Sequence, residues 1–331
     1  MVVLVTGGAG YIGSHMALRL IDDGDAPVVL DNLSTGFADA VPQAAELVVG
    51  NVGDQKLVAD ILTSRKIDAV LHFAGSIVVP ESVSDPLKYY QNNTVNSQNL
   101  IACCVEAGIP NFIFSSTAAV YGDQPSAPID ETTPPMPINP YGASKLMTEW
   151  MLRDVSAATD LRHVALRYFN VAGADPNGRA GQRSPNATHL IKVACEAALG
   201  DRDCLQIFGD DYDTPDGTCM RDYIHVTDLI DAHARAIEHL RVGGRSVTLN
   251  CGYGSGSSVR QVVAALEGAA GAPIATKTVG RRPGDAASVV ANADQIRNLL
   301  EWSPQYADLP FIVKTAYEWE KKNRTPELSP S

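Results

Sequence analysis

A chain of 331 residues is long enough for one large or two moderate domains with a substantial core. Its 26 basic and 38 acidic side chains leave a formal net charge of −12, which excludes non-specific attraction to nucleic acid. The composition, 45% apolar and 19% charged, is that of a soluble globular protein, and no apolar run approaches the ~20 residues of a membrane helix.

The chain opens on an apolar strand, Val2–Thr6, that runs directly into a glycine-rich turn. That start leaves no room for a leader of the usual form and points to a cytoplasmic protein. Further strands are predicted at Pro27–Asp31, Glu46–Val49, Ala69–Phe73, Asn111–Ser115 and His163–Arg167, with amphipathic helices near 11–23, 54–65, 86–107 and 141–158. This alternation predicts an α/β fold, a Rossmann-type doubly wound parallel sheet over residues 1–171. Pro125–Pro140 holds six prolines and must be a loop, delivering the chain to Tyr141. Beyond 171 the elements shorten: a loop at 173–187, a helix near 189–199, a turn-rich stretch at 209–219 and a helix at Val226–Leu240. A strand at Ser246–Cys251 and a helix at about 258–270 follow. Residues 172–331 are expected to form a smaller α/β substrate domain over the sheet's carboxyl edge, with the strand near 246–251 free to return to the first sheet. The tail from Arg324 is expected to fray. The six cysteines lack paired metal spacing and read as buried thiols of a reducing compartment; no metal site is expected.

The glycines stand as Gly7-x-x-Gly10-x-x-Gly13 between an apolar strand and an apolar helix. Three positions without Cβ let backbone N–H groups approach a dinucleotide pyrophosphate at a helix N-terminus. Asp31 ends the next strand, where a carboxylate accepts from both adenosine ribose hydroxyls and repels a 2′-phosphate, so NAD is favoured over NADP. Asn51 and Val52 are expected near the adenine, and Phe73, Ala74 and Gly75 close the fourth strand over the same groove.

Tyr141 and Lys145 lie four residues apart, on one helical face. A phenol beside an ammonium can exchange a proton near neutral pH, because the cation and the nicotinamide charge pull its pKa down from ~10. A second pair, Tyr317 and Lys321, shows that the spacing also arises without function. The first pair differs in following the proline-rich loop and in lying within the dinucleotide half. There a Ser-Ser-Thr sequence ends the fifth strand at Ser115–Thr117, and the Thr117 hydroxyl can hold the reacting oxygen.

These residues, with Asn92, Arg167-Tyr168-Phe169-Asn170, His72-Phe73-Ala74-Gly75, Tyr89-Tyr90-x-Asn92-Asn93, Val120-Tyr121-Gly122-Asp123-Gln124 and Arg221-Asp222-Tyr223-Ile224-His225-Val226, resemble the extended short-chain dehydrogenase/reductase superfamily. Within it, over nearly the whole chain, the sequence resembles the UDP-glucose 4-epimerase family. The resemblance implies a tightly bound NAD, a homodimer built on helices 86–107 and 141–158, and 4-epimerisation of a UDP-hexose through a 4-keto sugar. It implies Tyr141 as base, Thr117 as its hydroxyl partner and Lys145 on the nicotinamide ribose. Cofactor contacts would fall on Gly7, Gly10, Tyr11, Ile12, Gly13, Asp31, Asn32, Asn51, Val52, Phe73, Ala74, Gly75, Asn92, Ser115 and Tyr168, as well as Tyr141 and Lys145. UDP-sugar contacts would fall on Asn170, His189, Leu190, Gln206, Phe208, Arg221, Tyr223, Arg282, Asp285 and Val289, with Thr117 and Tyr141. Arg221 and Arg282 would supply the local positive charge that a net-acidic chain needs for a diphosphate.

Four positions depart from the family pattern. Ile77 replaces a lysine expected on a cofactor phosphate, Asn51 an aspartate near adenine, and His189 an asparagine. Val289 (or its neighbour Ser288) falls where strict glucose/galactose enzymes carry a tyrosine, which implies room for a 2-acetamido group. A 4,6-dehydratase or decarboxylase of the same fold would need an acid and a base after Thr117, where this chain has Ala118 and Ala119. A pentose epimerase remains open on sequence, and a silent NAD-binding scaffold would have no use for the phenol.

Overall fold

The computed structural model describes residues 1–124, 128–183, 188–282 and 285–324. In chain order the first elements are β1 (Val2–Thr6), α1 (Tyr11–Asp22), β2 (Ala26–Asp31), β3 (Glu46–Val49), α2 (Gln55–Ser64) and β4 (Ala69–His72). Val3, Leu4, Val5, Val29, Leu30, Val70 and Leu71 are wholly buried, as strands covered by helices on both sheet faces must be. The turn after β1 is so tight that only glycine fits. Gly7 has φ +71°, and a Cβ there would lie 2.6 Å from the Ala74 backbone nitrogen. A Cβ on Gly13 would lie 2.3 Å from the Gly7 carbonyl oxygen.

A short α3 (Val79–Ser84) precedes the helix expected at 86–107, which runs from Pro86 to Glu106 as α4 (Pro86–Tyr89), a π turn (Tyr90–Val95) and α5 (Asn96–Glu106). Proline cannot donate within a helix, so Pro86 starts it, and Asp85 caps the new turn through the Lys88 N–H. The π turn carries Asn93 inward, where its amide donates to the Ser76 carbonyl and to Ser144 Oγ. Next come β5 (Asn111–Thr117), a 3₁₀ turn at Ala118–Tyr121, α6 (Pro140–Ala158) and β6 (Arg162–Tyr168). Asn139 caps α6 through the Gly142 N–H, and Pro140 occupies its first turn, which is how the proline-rich loop ends in a helix.

The second half contributes β7 (Asn170–Ala172), α7 (Leu190–Ala198), β8 (Leu205–Phe208), β9 (Met220–His225), α8 (Val226–Arg241) and β10 (Val247–Cys251). It ends with β11 (Gly256–Ser258), α9 (Val259–Ala270), β12 (Thr276–Val279), β13 (Ser288–Val289), α10 (Asp294–Leu300) and α11 (Leu309–Arg324). The principal sheet is parallel with order β10-β6-β5-β4-β1-β2-β3, a doubly wound arrangement whose order reverses between β1 and β4. β10 does return, pairing Val247–Cys251 with Val164–Tyr168. α8 packs on α1, β5 and β6. Outside this sheet β11, β9 and β13 form a small sheet with β7 on β9, and β12 pairs β8. The tail beyond Arg324 lies outside the described residues. Among the described residues no helix is long and apolar enough to cross a membrane.

Five imidazoles are locked in this core uncharged. Burial lowers His72 and His225 to about 3, and His15, His163 and His233 to about 4. Each binds its proton less tightly folded than unfolded, so stability is complete above the ordinary 6.5 and is lost as pH falls toward 3–4. The expected outcome is an unfolding free energy, read by urea titration, that declines between pH 6.5 and 4. The slope is about 1.4 kcal/mol per pH unit for each imidazole that the unfolded chain protonates.

Candidate active site

The carboxyl ends of β1, β2, β4, β5 and β6 open on one groove. At its floor the first turn of α1 presents the N–H groups of Tyr11, Ile12 and Gly13, which have no carbonyl four residues back within the helix. A Cβ on Gly10 would meet only the Gly7 oxygen at 3.2 Å, so the approach to that turn is open. Asp31 stands at the end of β2, fixed by the Ala9 N–H (3.0 Å) and the Leu33 N–H (2.8 Å), with lone pairs left for a diol. Asn32 follows it. Asn51 and the buried Val52 end the third strand, where the Asn51 amide oxygen already accepts from the Gly53 N–H and Asn96. Phe73, Ala74 and Gly75 leave β4 directly over Gly7, and Asn92 donates to Ser76 beside them. A glycine-lined helix N-terminus beside a carboxylate that faces the groove fits a dinucleotide carrying two ribose hydroxyls.

Deeper in the groove three consecutive residues of β5 meet three residues of α6. Lys145 Nζ donates to the Ser115 carbonyl at 2.9 Å, Ser116 Oγ donates to Glu149 Oε1 at 2.5 Å, and the Thr117 hydroxyl, which accepts from the Ala119 N–H, stands beside the Tyr141 phenol. Ser115 Oγ donates to the Tyr168 hydroxyl at 2.9 Å, and Tyr89 sets its ring edge against Tyr141. Tyr141 and Lys145 are 8% and 3% exposed, so both titrate in a dry space. Burial lowers Lys145 to about 8, partly offset by the Glu149 carboxylate. Burial holds the Tyr141 phenol above its ordinary value, and the Thr117 hydrogen bond draws it back. Lys145 Nζ meets the Ser115 carbonyl, and Thr117 is the side chain that offsets the effect of burial on the phenol. The second Tyr–Lys pair, Tyr317 and Lys321, lies on α11, away from the strand ends.

The nucleotide-side residues come from β7, α7, β8, β9 and β13. Asn170 begins β7 and pairs with the buried Tyr223 of β9. His189 caps α7 ahead of Leu190 and meets Gln182 at 3.2 Å. Gln206 is exposed on β8, and the Arg282 guanidinium lies 3.8 Å above the ring of Phe208 on the same strand. Arg221 is fixed by the Met220 and Ala286 carbonyls, both at 2.8 Å, with Asp285 at 3.4 Å. Val289 pairs with Arg221 and packs with Ala118 on the cluster of Val120, Tyr121, Ile129 and Leu146. Glu149, Ser116 and Asn93 escaped the sequence reading. Glu149 had a signal, since it extends Tyr141 and Lys145 by the same four-residue step along α6.

A doubly wound sheet with an open phosphate turn and a buried Tyr–Lys–Thr centre defines a nucleotide-dependent enzyme of the short-chain dehydrogenase/reductase type. The NAD dependent epimerase/dehydratase family matches residues 3–252, and the chain belongs to that family. It is 59% identical over 319 residues to a UDP-glucose 4-epimerase of Azospirillum brasilense, an alignment covering 96% of this chain and 92% of that one. The crystal structure of a UDP-glucose 4-epimerase from Brucella ovis in complex with NAD superposes with a TM-score of 0.94 at 45% identity, covering 96% and 97% of the two chains. The UDP-Glc/GlcNAc 4-epimerase of Campylobacter jejuni gives a TM-score of 0.86 at 48% identity over 97% of this chain and 99% of that one.

The Thr117 hydroxyl can be tested on its own. Thr117→Val keeps the shape and removes the hydroxyl, so the phenol loses the one neighbour that favours its ionised form. kcat near neutrality is expected to fall on the order of tenfold with KM within about twofold. Steady-state rates at pH 7 check both.

Proposed function

We propose that the chain is an NAD-dependent UDP-hexose 4-epimerase interconverting UDP-galactose and UDP-glucose, and so serves galactose metabolism. The observation that carries this reading is the buried cluster of Tyr141, Lys145 and Thr117 at the carboxyl end of β5, in a doubly wound sheet whose first strand runs into an open glycine turn. When bound in the groove, NAD supplies the acceptor and donor of the C4 hydride. Tyr141 takes the proton of the 4-hydroxyl and later returns it, while Thr117 holds the same oxygen in place. Lys145 keeps positive charge beside the phenol. Arg221, Arg282 and the Phe208 ring hold the uridine diphosphate. The hexose, gripped less firmly, turns as a 4-keto sugar and offers its other face. Ala118 and Ala119 follow Thr117 and cannot move protons at C5 or C6, which disfavours dehydration or decarboxylation.

The division of labour follows the chain. Residues 1–171 with the strand at 247–251 bind the cofactor, and the rest of 172–331 binds the nucleotide sugar. Six free thiols suit work in a reducing cytoplasm. Val289 is small and half-buried beside Ala118, so an N-acetyl group on the sugar has room. The direct test is to incubate the purified protein, without added cofactor, with UDP-galactose and separately with UDP-GalNAc. UDP-glucose and UDP-GlcNAc are expected. No UDP-glucose would sink the whole reading, and turnover of UDP-galactose alone would sink the N-acetylhexosamine part.

A homodimer is the reading for the outer faces of α3–α6. Val83, Leu87, Val95, Met147 and Trp150 are exposed there, with Leu87 at 77%, and Thr94 bonds Met147 across the two segments. Such a contiguous apolar face suits a second copy of the same chain. Light scattering on the wild type is expected to give twice the monomer mass, and Leu87→Asp with Trp150→Asp to give the monomer.

A further inference from the structure

Behind the reacting phenol lies a buried ion pair with no part in the chemistry described so far. Glu149 and Arg167 are 5% and 8% exposed at their side chains and meet as a fork, with guanidinium-to-carboxylate distances of 2.6, 3.0 and 3.2 Å. Taking both charges out of water costs several kcal/mol, which their attraction does not reliably repay, so stability alone is a poor reason for the pair. Its connections give a better one. Glu149 also accepts from Ser116 Oγ. Arg167 Nη1 donates to the Tyr121 hydroxyl at 2.9 Å, and Tyr121 donates to Asn250 of β10 at 2.7 Å. Five segments are thereby tied at one point: β5, the turn after it, α6, β6 and β10.

Ser115 and Ser116 at the end of β5 hold Lys145 and Glu149, one helical turn apart on α6, and Thr117 stands beside Tyr141 one turn earlier. Of these contacts, Ser116–Glu149 is backed by a second charge, that of Arg167.

We propose that Glu149 and Arg167 are a positioning pair that locks the carboxyl end of β5 against α6 and sets the charge balance around Lys145. Neither touches substrate or cofactor; both act through Lys145 and Thr117. Lys145 faces Glu149 on α6, His72 on β4 and the Phe114 ring on β5. Around the pair stand Tyr121 on the turn and Glu131 on the following loop. His72 is neutral, so among the described residues the buried cations here are Lys145 and Arg167; Glu149 acts on both, and Glu131 on Arg167.

The two partners must therefore shift Lys145 in opposite directions. Glu149→Gln leaves two cations in one dry space, and the ammonium gives up its proton more readily. Arg167→Gln leaves an uncompensated carboxylate near Lys145, which holds the proton more tightly. The experiment follows the pH titration of the Lys145 ε-methylene resonance in 13C-lysine-labelled protein, assigned by its absence in Lys145→Met. Glu149→Gln is expected to move the midpoint down by about one pH unit and Arg167→Gln to move it up. In turnover, Glu149→Gln is expected to lower kcat on the order of tenfold, with KM within about twofold and the alkaline limb shifted down. A purely structural role would weaken folding in both variants and move Lys145 the same way in each, or leave it unmoved; either result overturns the proposal. If one single variant does not fold, the charge-neutral Glu149→Gln, Arg167→Met double variant takes its place. Removal of the coupled pair should leave its midpoint between those expected of the two single variants, and a midpoint outside that range also overturns the idea. The inference rests on Tyr141 as the proton-transfer group. The resonance titration needs no turnover, so a wild type that fails to convert UDP-galactose would sink that reading and leave the Lys145 result to judge the pair.

Discussion

A phenol and an ammonium share a space from which the fold excludes water, and most of the architecture serves to keep them there. Dry surroundings favour the neutral form of each, so neither charge survives by default. The chain answers with specific neighbours: the Thr117 hydroxyl on the phenol, the Ser115 carbonyl and the Glu149 carboxylate on the ammonium. Each neighbour is delivered by an element whose own position depends on the sheet. Three successive residues at the end of β5 reach one face of α6 only because a parallel strand stops and a capped helix starts on opposite sides of the same loop.

Grip is distributed unevenly across the groove, and the asymmetry has a physical use. Arg221 is braced by two backbone carbonyls, and Arg282 is stacked on Phe208, so both cations stand in place before any diphosphate arrives. Little ordering remains to be done at that end. At the other end Val289 and Ala118 present small apolar surfaces with few polar handles. On the proposed reading, a sugar held between such walls turns while its nucleotide stays put.

The principal sheet was legible in the sequence because strands buried on both faces read as unbroken apolar runs. The six strand candidates of the first half all appear, within a residue or two of their expected ends. The substrate-side strands β7, β8, β9, β11, β12 and β13 are short and mixed in polarity, and they left no such trace. β9 is Met-Arg-Asp-Tyr-Ile-His, yet Asp222 within it is wholly buried, accepting from the Tyr253, Gly254 and Ala291 N–H groups. Periodicity cannot foresee a polar residue whose partners lie 31 to 69 positions away. The helix from Pro86 was expected, but the π turn within it and the inward placing of Asn93 depend on Ser76 and Ser144. The residues Thr117, Tyr141 and Lys145, read together from the sequence, lie close together in the fold at the end of β5 and the start of α6. Spacing along a helix does not show that the Lys145 ammonium meets the Ser115 carbonyl.

The placement of β10 has a consequence for how the molecule comes into being. The outermost strand of the cofactor sheet is Val247–Cys251, and Asn250 in it anchors the Tyr121 hydroxyl and the Ile129 carbonyl beneath the phenol. On the ribosome, the nucleotide-binding half is therefore left with an unpaired edge along β6 until some eighty further residues have been made. An edge of that kind invites pairing with other nascent chains. A gene cut near codon 171 would yield a fragment whose sheet lacks its border strand beside β6.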